Sequence, residues 1–190
     1  MRARGGPSGA FEAYESYGKE YIEQLKYWEK VFRTIGAVNC WHVNHSESEE
    51  MWNLYVSGNE GVAVQSTFSA LTKAFDTTAR KIYVGIMKYI DYEHDSFEDC
   101  SNRSFGNFTT FFNYKDENFK HENELRALIM AMGTKSEPAQ PLSANGTKVH
   151  INVAEIIEGI YTPTSKVNLL QKEFSDYGVA VQVIPSAILT

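Results

Sequence analysis

The chain has 190 residues, a length typical of one domain, and its 43% hydrophobic and 22% charged residues are ordinary for a globular protein. A formal charge of −6 supplies no basic field for nucleic acid or an anionic membrane surface. Two cysteines are too few for a disulfide scaffold, and no apolar run approaches the roughly 18 residues of a membrane span. These features predict a soluble, cytoplasmic protein with no nucleic-acid or membrane partner.

The N-terminal region divides into two parts. Residues 1–10 contain Arg and Gly but no apolar stretch of a signal peptide, so we expect a disordered arm or a cloning remnant there and a single domain over residues 11–190. From Phe11 to Ile35 the aromatic and apolar positions recur at steps of three and four, which predicts a long amphipathic helix that ends at Gly36. Its apolar stripe is richest in tyrosine near its start. We therefore expect its first turns to meet a second subunit in a homodimer, the alternative being a helix that lies flat on its own sheet.

The remaining elements follow from alternation, turn residues and capping signals. Ala37 to Val43 is predicted as a strand, and the capping box of Ser46 and Glu49 is predicted to open a helix. The later elements are strands over 61–66, 81–90, 124–130, 149–153, 159–161 and 179–184, helices over 68–75, 154–158 and 166–177, and polar loops over 91–106, 115–123 and 134–146. The segment 124–130 is strand-like, but its Leu, Ala and Met residues also allow a helix. With no internal repeat or linker, this order predicts an α+β domain with one mixed sheet of about five to seven strands, flanking helices and the long N-terminal helix.

Five motifs stand out along the chain: Met51-Trp52-x-x-Tyr55, Gly61-Val62-Ala63-Val64-Gln65-Ser66, Tyr89-x-Asp91-Tyr92, Lys120-His121-Glu122-x-Glu124-x-Arg126 and Ile156-Ile157-x-Gly159-x-Tyr161 with Pro163. Together they resemble domain-of-unknown-function family 2971, a family of bacterial proteins. The resemblance covers about residues 40–187 and implies the fold without an activity.

A second resemblance concerns chemistry. Glu122-x-Glu124, together with a strand that ends in Ser66-Thr67, is similar in order to the Glu-x-Glu and Ser-Thr-Ser elements of ADP-ribosyltransferases. It implies Glu124, Glu122 and Ser66 as catalytic residues and NAD as cofactor, since a fixed glutamate stabilises the oxocarbenium-like transition state in those enzymes. The Arg or His that such enzymes carry on a preceding strand has only His42 as a candidate.

The charged residues around Glu122 and Glu124 have two other interpretations. They can form an ion-pair cluster on one surface, made of Lys120, His121, Glu122, Glu124 and Arg126, or Arg126 and Lys120 can bind an anionic ligand. In either a helix or a strand Arg126 lies beside a carboxylate. We therefore expect at least one salt bridge from Arg126 that is partly shielded from water.

Three aromatic residues suggest a ligand pocket. Trp41, Trp52 and Tyr55 have rings that can stack a base or a nicotinamide, although core packing is the favoured explanation for them. With Lys120 and Arg126 they make up the candidate ligand-binding residues.

The short motif Cys40-x-His42-x-x-His45 holds metal-ligand residue types, but a fourth ligand would have to come from far away along the chain. We therefore expect no metal and no cofactor other than NAD under the alternative. We expect Cys40 to be a small buried residue that packs like an apolar one.

No phosphate-binding loop, nucleophile elbow or zinc-protease motif is present. The sequence predicts a small-ligand-binding or protein-interaction domain without a nameable reaction, the alternative being an ADP-ribosyltransferase-like enzyme that uses NAD.

Overall fold

A computed structural model describes residues 19–58, 60–91, 112–131, 142 and 146–189. Helices and strands are mixed, and the fold is α+β as predicted. None of the described helices is long and apolar enough to cross a membrane. In chain order the elements are α1 (Lys19–Ile35), β1 (Gly36–His42), α2 (Glu49–Tyr55), β2 (Ala63–Gln65), α3 (Phe68–Phe75), β3 (Tyr83–Ile86), β4 (Lys88–Ile90), β5 (Tyr114–Asp116), a 3-10 helix (Glu117–Glu122), β6 (Glu124–Met130), α4 (Val153–Ile156), β7 (Gly159–Thr162), a 3-10 turn (Thr164–Lys166), α5 (Val167–Asp176) and β8 (Gln182–Pro185).

The residues cluster into two compact units. The first comprises Met1–Val43 and Ile82–Thr147, and the second comprises Asn44–Lys81 and Lys148–Thr190. The described strands form sheets of three, three and two strands rather than one mixed sheet of five to seven, so that expectation is wrong for this part of the chain. The single-domain boundary stays a prediction, and the expected arm at residues 1–10 lies outside the described residues.

The first unit is built around β6. β1 and β3 pair with it on either side, both antiparallel. Five of the seven residues of β6 are apolar, and Leu125, Ala127, Leu128 and Ile129 on its two faces are all buried, as expected of a central strand. β1 pairs along its whole length without a bulge, from Gly36 opposite Met130 to His42 opposite Glu124. Among the described strands, β1 and β3 are therefore the edges of this sheet.

The predicted strand over 81–90 is two strands, because the chain changes partners at Met87. Ile86 still pairs with Leu125, and the N–H of Met87 donates to the carbonyl of Glu124 at 2.8 Å. The N–H of Lys88 then donates to Asn113, and β4 pairs with β5 in parallel. The charged connector predicted as a loop over 115–123 thus contributes β5 and the 3-10 helix.

In the second unit β7 lies between β2, which is antiparallel to it, and β8, which is parallel. Ile160 and Val183 are buried on this sheet. The side-chain amide of Gln171, on α5, donates to the carbonyl of Val181 and accepts from the N–H of Val183, both at 3.0 Å. The N–H of Ser186, just after β8, donates to the carbonyl of Thr162 on β7. Because backbone groups alternate in direction along a strand, those of Val181 and Val183 point away from β7. Gln171 therefore covers the outer edge of β8.

Three further expectations need correction. The long N-terminal helix from Phe11 is not seen: α1 begins at Lys19, and residues 11–18 lie outside the described residues. The N-cap of α2 is Ser48, whose Oγ accepts from Met51 at 3.3 Å, because Ser46 lies in a turn held by Asn44. The strand expected over 149–153 is absent there, since Asn152 caps α4 instead.

Candidate functional site

Four charged side chains meet in the first unit, and we call them the charged cluster: Lys115, Glu122, Glu124 and Arg126. The Nη2 of Arg126 lies 2.9 Å from Oε2 of Glu124, and Lys115 Nζ contacts Glu122 and lies 3.5 Å from Glu124. The exposed fractions of these side chains are between 8% and 22%. The predicted salt bridge of Arg126 to a shielded carboxylate is therefore confirmed.

Backbone geometry brings these groups together. The parallel pairing of β4 with β5 sets Tyr89 opposite Lys115, and the phenol oxygen of Tyr89 accepts the N–H of Glu124 at 2.8 Å. Asn123 has a φ of 35°, in the left-handed region that Asn tolerates better than most residues. This turn lets Glu122 at the end of the 3-10 helix and Glu124 at the start of β6 both reach Lys115.

The charges within the cluster balance one another and set the pKa of Glu124. Burial alone would raise the pKa of Glu124, but hydrogen bonds from Cys40 and Arg126 and the charges of Arg126 and Lys115 lower it below its ordinary value. Burial raises the pKa of the Tyr89 phenol, which stays protonated at neutral pH. Two carboxylates and two cations compensate one another, so the cluster has no net charge to offer an ion in solution.

Two residues of β1 lie beside the cluster. Cys40 is opposite Arg126 in the register and His42 is opposite Glu124, and His42 Nδ1 donates to the carbonyl of Glu122 at 2.6 Å. Cys40 is exposed rather than buried, because β1 is an edge strand. Desolvation of its thiol and the hydrogen bond with Glu124 raise its pKa to about 11, so it is a poor nucleophile. No group of three metal-ligand side chains is present in the described ranges.

The candidate ligand-binding residues are divided between the units. In the first unit, Arg126 belongs to the cluster, Lys120 is exposed and makes no cluster contact, and the indole of Trp41 donates to Asn39 within its own strand. In the second unit, Trp52 is a core residue with 6% of its surface exposed, and Tyr55 is 54% exposed.

Trp52 also takes part in a hydrogen-bonded anchor for the C-terminal segment. Glu47 accepts the indole N–H of Trp52 at 3.1 Å, the hydroxyl of Ser186 at 2.6 Å and the N–H of Ala187 at 2.7 Å. Since its N–H is already satisfied and its ring is buried, the contacts of Trp52 favour core packing over ligand stacking.

The candidate catalytic residues are likewise divided. Glu122 and Glu124 belong to the first unit, whereas Ser66 follows β2 in the second. The hydroxyl of Ser66 donates to the carbonyl of Thr67 at 3.4 Å. Among described contacts, the carboxylate that meets this segment is Glu158, which accepts from Thr67 Oγ1 at 2.7 Å.

Sequence reasoning missed two members of the site, Lys115 and Tyr89. The cation predicted beside Glu122 and Glu124 is Lys120 instead of Lys115. The signal for Lys115 is its parallel pairing with Tyr89, which depends on strand partners that the sequence pattern does not specify. Tyr89 itself belongs to a motif quoted above, but nothing in that motif indicates a contact with Glu124.

The outer edge of β1 is open in the part of the chain that the structure describes. Val43 N–H donates to Asn123, and in this register odd-numbered residues of β1 point their backbone groups at β6. The backbone N–H and C=O groups of Val38 and Cys40 therefore point outward. Val38 is 44% exposed, and the strand contains no charged residue and no proline.

Comparison of the chain with protein-family models, with curated proteins and with solved structures found no match.

Proposed function

We propose that the protein is an interaction domain whose partner adds a β-strand along the outer edge of β1. The observation that supports this is the seven-residue edge itself, which is uncharged and lacks proline and bulges. In strand addition the main chain supplies hydrogen bonds and alternate side chains supply specificity. Val38 and Cys40 offer both, since each has outward backbone groups and an exposed side chain.

The contrast with β8 strengthens the proposal. Natural sheets block their edges with charges, prolines, bulges or covering groups, because an open edge pairs with other chains. The outer edge of β8 has such a cover in Gln171, whereas β1 has none among the described residues. An edge that is left without protection is expected to serve in pairing.

Of the two roles expected from the sequence, protein interaction has better geometric support than small-ligand binding. The charged cluster neutralises itself, and Arg126 is committed to Glu124 and to the carbonyl of Phe112 at 2.7 Å. An incoming anion would have to displace these contacts. Membership of family 2971 likewise stays a prediction from the motifs.

A fluorescein-labelled peptide with the sequence of β1, serine replacing its cysteine, tests strand addition by fluorescence anisotropy. We expect saturable binding to the wild type and none to Val38→Pro, because proline removes an outward N–H but none of the hydrogen bonds to β6. Val38→Thr keeps the N–H and should bind like the wild type. Binding that Val38→Pro retains, or no binding to the wild type, would reject the proposal.

A second candidate is an ADP-ribosyltransferase-like enzyme that uses NAD. It is favoured by one observation: His42 lies on β1 opposite Glu124, on the kind of preceding strand where the resemblance expects an Arg or His. Glu122 and Glu124 would then act on the ribose. Against it, the side chain of Glu124 is 8% exposed and bonded to Arg126.

Labelled NAD incubated with cell extract tests this candidate. Transfer of label by the wild type, and its loss in both Glu124→Gln and Glu122→Gln, would support it. Glu122→Gln is included because loss of Glu124 also weakens the fold. Absence of transfer by the wild type would reject the enzyme.

A further inference from the structure

We infer that the strand added at β1 is β1 of a second copy of this chain, antiparallel to the first about a two-fold axis at Asn39. This inference rests on the proposed function and names its partner. The homodimer predicted from the N-terminal helix would then be made by the strand that directly follows α1.

The register follows from the length of the strand. An axis at Asn39 pairs Gly36 with His42, and so uses every residue of β1, whereas an axis at Val38 or Cys40 leaves residues unpaired at one end. It also sets Val38 opposite Cys40 of the second copy. Because both have outward backbone groups, they form a hydrogen-bonded pair, and Asn39 meets Asn39 as a non-hydrogen-bonded pair.

The side chains are self-complementary in this register. Trp41 faces Ala37, so the largest residue of the strand lies opposite one of the smallest. Val38 and Cys40, both exposed in a single copy, cover each other on one face. On the other face the amide of Asn39 meets its own copy, and an amide both donates and accepts.

Charge also favours a second copy. The chain has a formal charge of −6, so contact between two copies through an acidic surface would be repulsive. β1 has no charged residue, and pairing through it therefore brings no like charges into contact. Two-fold pairing occupies the β1 edge of both copies at once, so this contact ends the assembly at a dimer.

Disulfide trapping tests the register. Asn39→Cys is made in a chain that also carries Cys40→Ser and Cys100→Ser. A non-hydrogen-bonded pair has a Cα separation of about 4.5 Å, within the roughly 4.4–6.8 Å of a disulfide, so mild oxidation should link two copies. The control in the same background is Asn53→Cys, on the exposed surface of α2, which should stay unlinked. Equal linkage of the two variants, or none of Asn39→Cys, would overturn this register.

Sedimentation velocity of the full chain tests the partner. At tens of micromolar we expect a dimer for the wild type and for Val38→Thr, and a monomer for Val38→Pro. A monomeric wild type overturns the second copy as partner; if it still binds the β1 peptide, strand addition itself survives with another partner. A dimer that Val38→Pro leaves intact places the interface elsewhere and also overturns the inference. Loss of both dimer and peptide binding rejects the proposed function as well.

Discussion

Replacing Arg126 with alanine is expected to destabilise the protein by about 3 kcal/mol. Removing one partner of a buried ion pair costs about 3–5 kcal/mol, because a charge is left behind without compensation. The charge left here is Glu124, whose side chain is only 8% exposed and which loses a partner at 2.9 Å. Lys115 remains 3.5 Å away, so we expect the lower end of that range.

Thermal unfolding measures the effect. For a chain of about this length, 1 kcal/mol shifts the Tm by about 2–4 °C, so Arg126→Ala should lower it by about 6–12 °C. The matched control is Lys166→Ala. Lys166 lies 3.6 Å from Glu60, but the side chains of the pair are 34% and 81% exposed. Exposed pairs contribute about 0–1 kcal/mol, and this Tm should fall by no more than about 4 °C.

A double variant tests the cause of this destabilisation. If the cost comes from a stranded charge, then Arg126→Leu combined with Glu124→Leu should be more stable than Arg126→Ala alone, because no uncompensated carboxylate remains. A Tm for Arg126→Ala that matches Lys166→Ala would refute the assignment of Arg126 to a buried pair. A double variant less stable than the single one would refute the stranded charge as the cause.

Three more predictions follow from contacts within each unit. With the other cysteine replaced by serine, Cys40 should be alkylated by iodoacetamide about 10-fold more slowly in the folded chain than in urea. Its pKa of about 11 instead of 9.0 lowers the thiolate fraction, and the greater nucleophilicity of a more basic thiolate offsets part of that loss; equal rates would contradict this. The pKa of Glu124 is lower in the folded chain than the 4.5 of the unfolded chain, so the ionised carboxylate stabilises the fold above pH 4.5. This stability is lost as the pH falls through the folded pKa. The urea midpoint should therefore fall more steeply with acid in the wild type than in Arg126→Ala. Ser186→Ala removes the hydroxyl that donates to Glu47 at 2.6 Å and should cost about 1–3 kcal/mol, read as a lower urea midpoint; an unchanged midpoint would count against the anchor.

Local chemistry made several elements predictable. The end of α1 before Gly36 and the end of α5 before Gly178 follow from glycine at the C-terminus, and Gly178 has the positive φ of 70° that such an ending uses. The boundaries of α3 at Phe68 and Phe75 and of β6 at Glu124 and Met130 agree with the prediction. The helix follows its apolar spacing, whereas β6 is a strand although its Leu, Ala and Met residues also favour a helix.

Strand pairing was less predictable, because it depends on contacts distant in sequence. Nothing local to residues 81–90 indicates that the chain leaves β6 at Met87 and joins β5. The division into small sheets follows from such changes of partner. The expected strand over 149–153 failed for a local reason, since the side chain of Asn152 accepts from Ala154 and starts a helical turn.

The site was predictable in part. Arg126 and Glu124 are two apart on one strand, so their salt bridge followed from sequence spacing alone. The contribution of Lys115 required the parallel pairing of β4 with β5. The exposure of Cys40 required knowledge that β1 is an edge strand, which apolar composition alone does not reveal.

Hydrogen exchange within β1 tests strand addition most directly. The amides of Asn39 and Trp41 point to β6 and should be protected at every protein concentration. The amides of Val38 and Cys40 point outward, and they should exchange rapidly at about 1 µM and become protected at about 100 µM as a second strand pairs with them. Rapid exchange of Val38 and Cys40 at both concentrations, with the β1 peptide added as well, would contradict pairing at this edge.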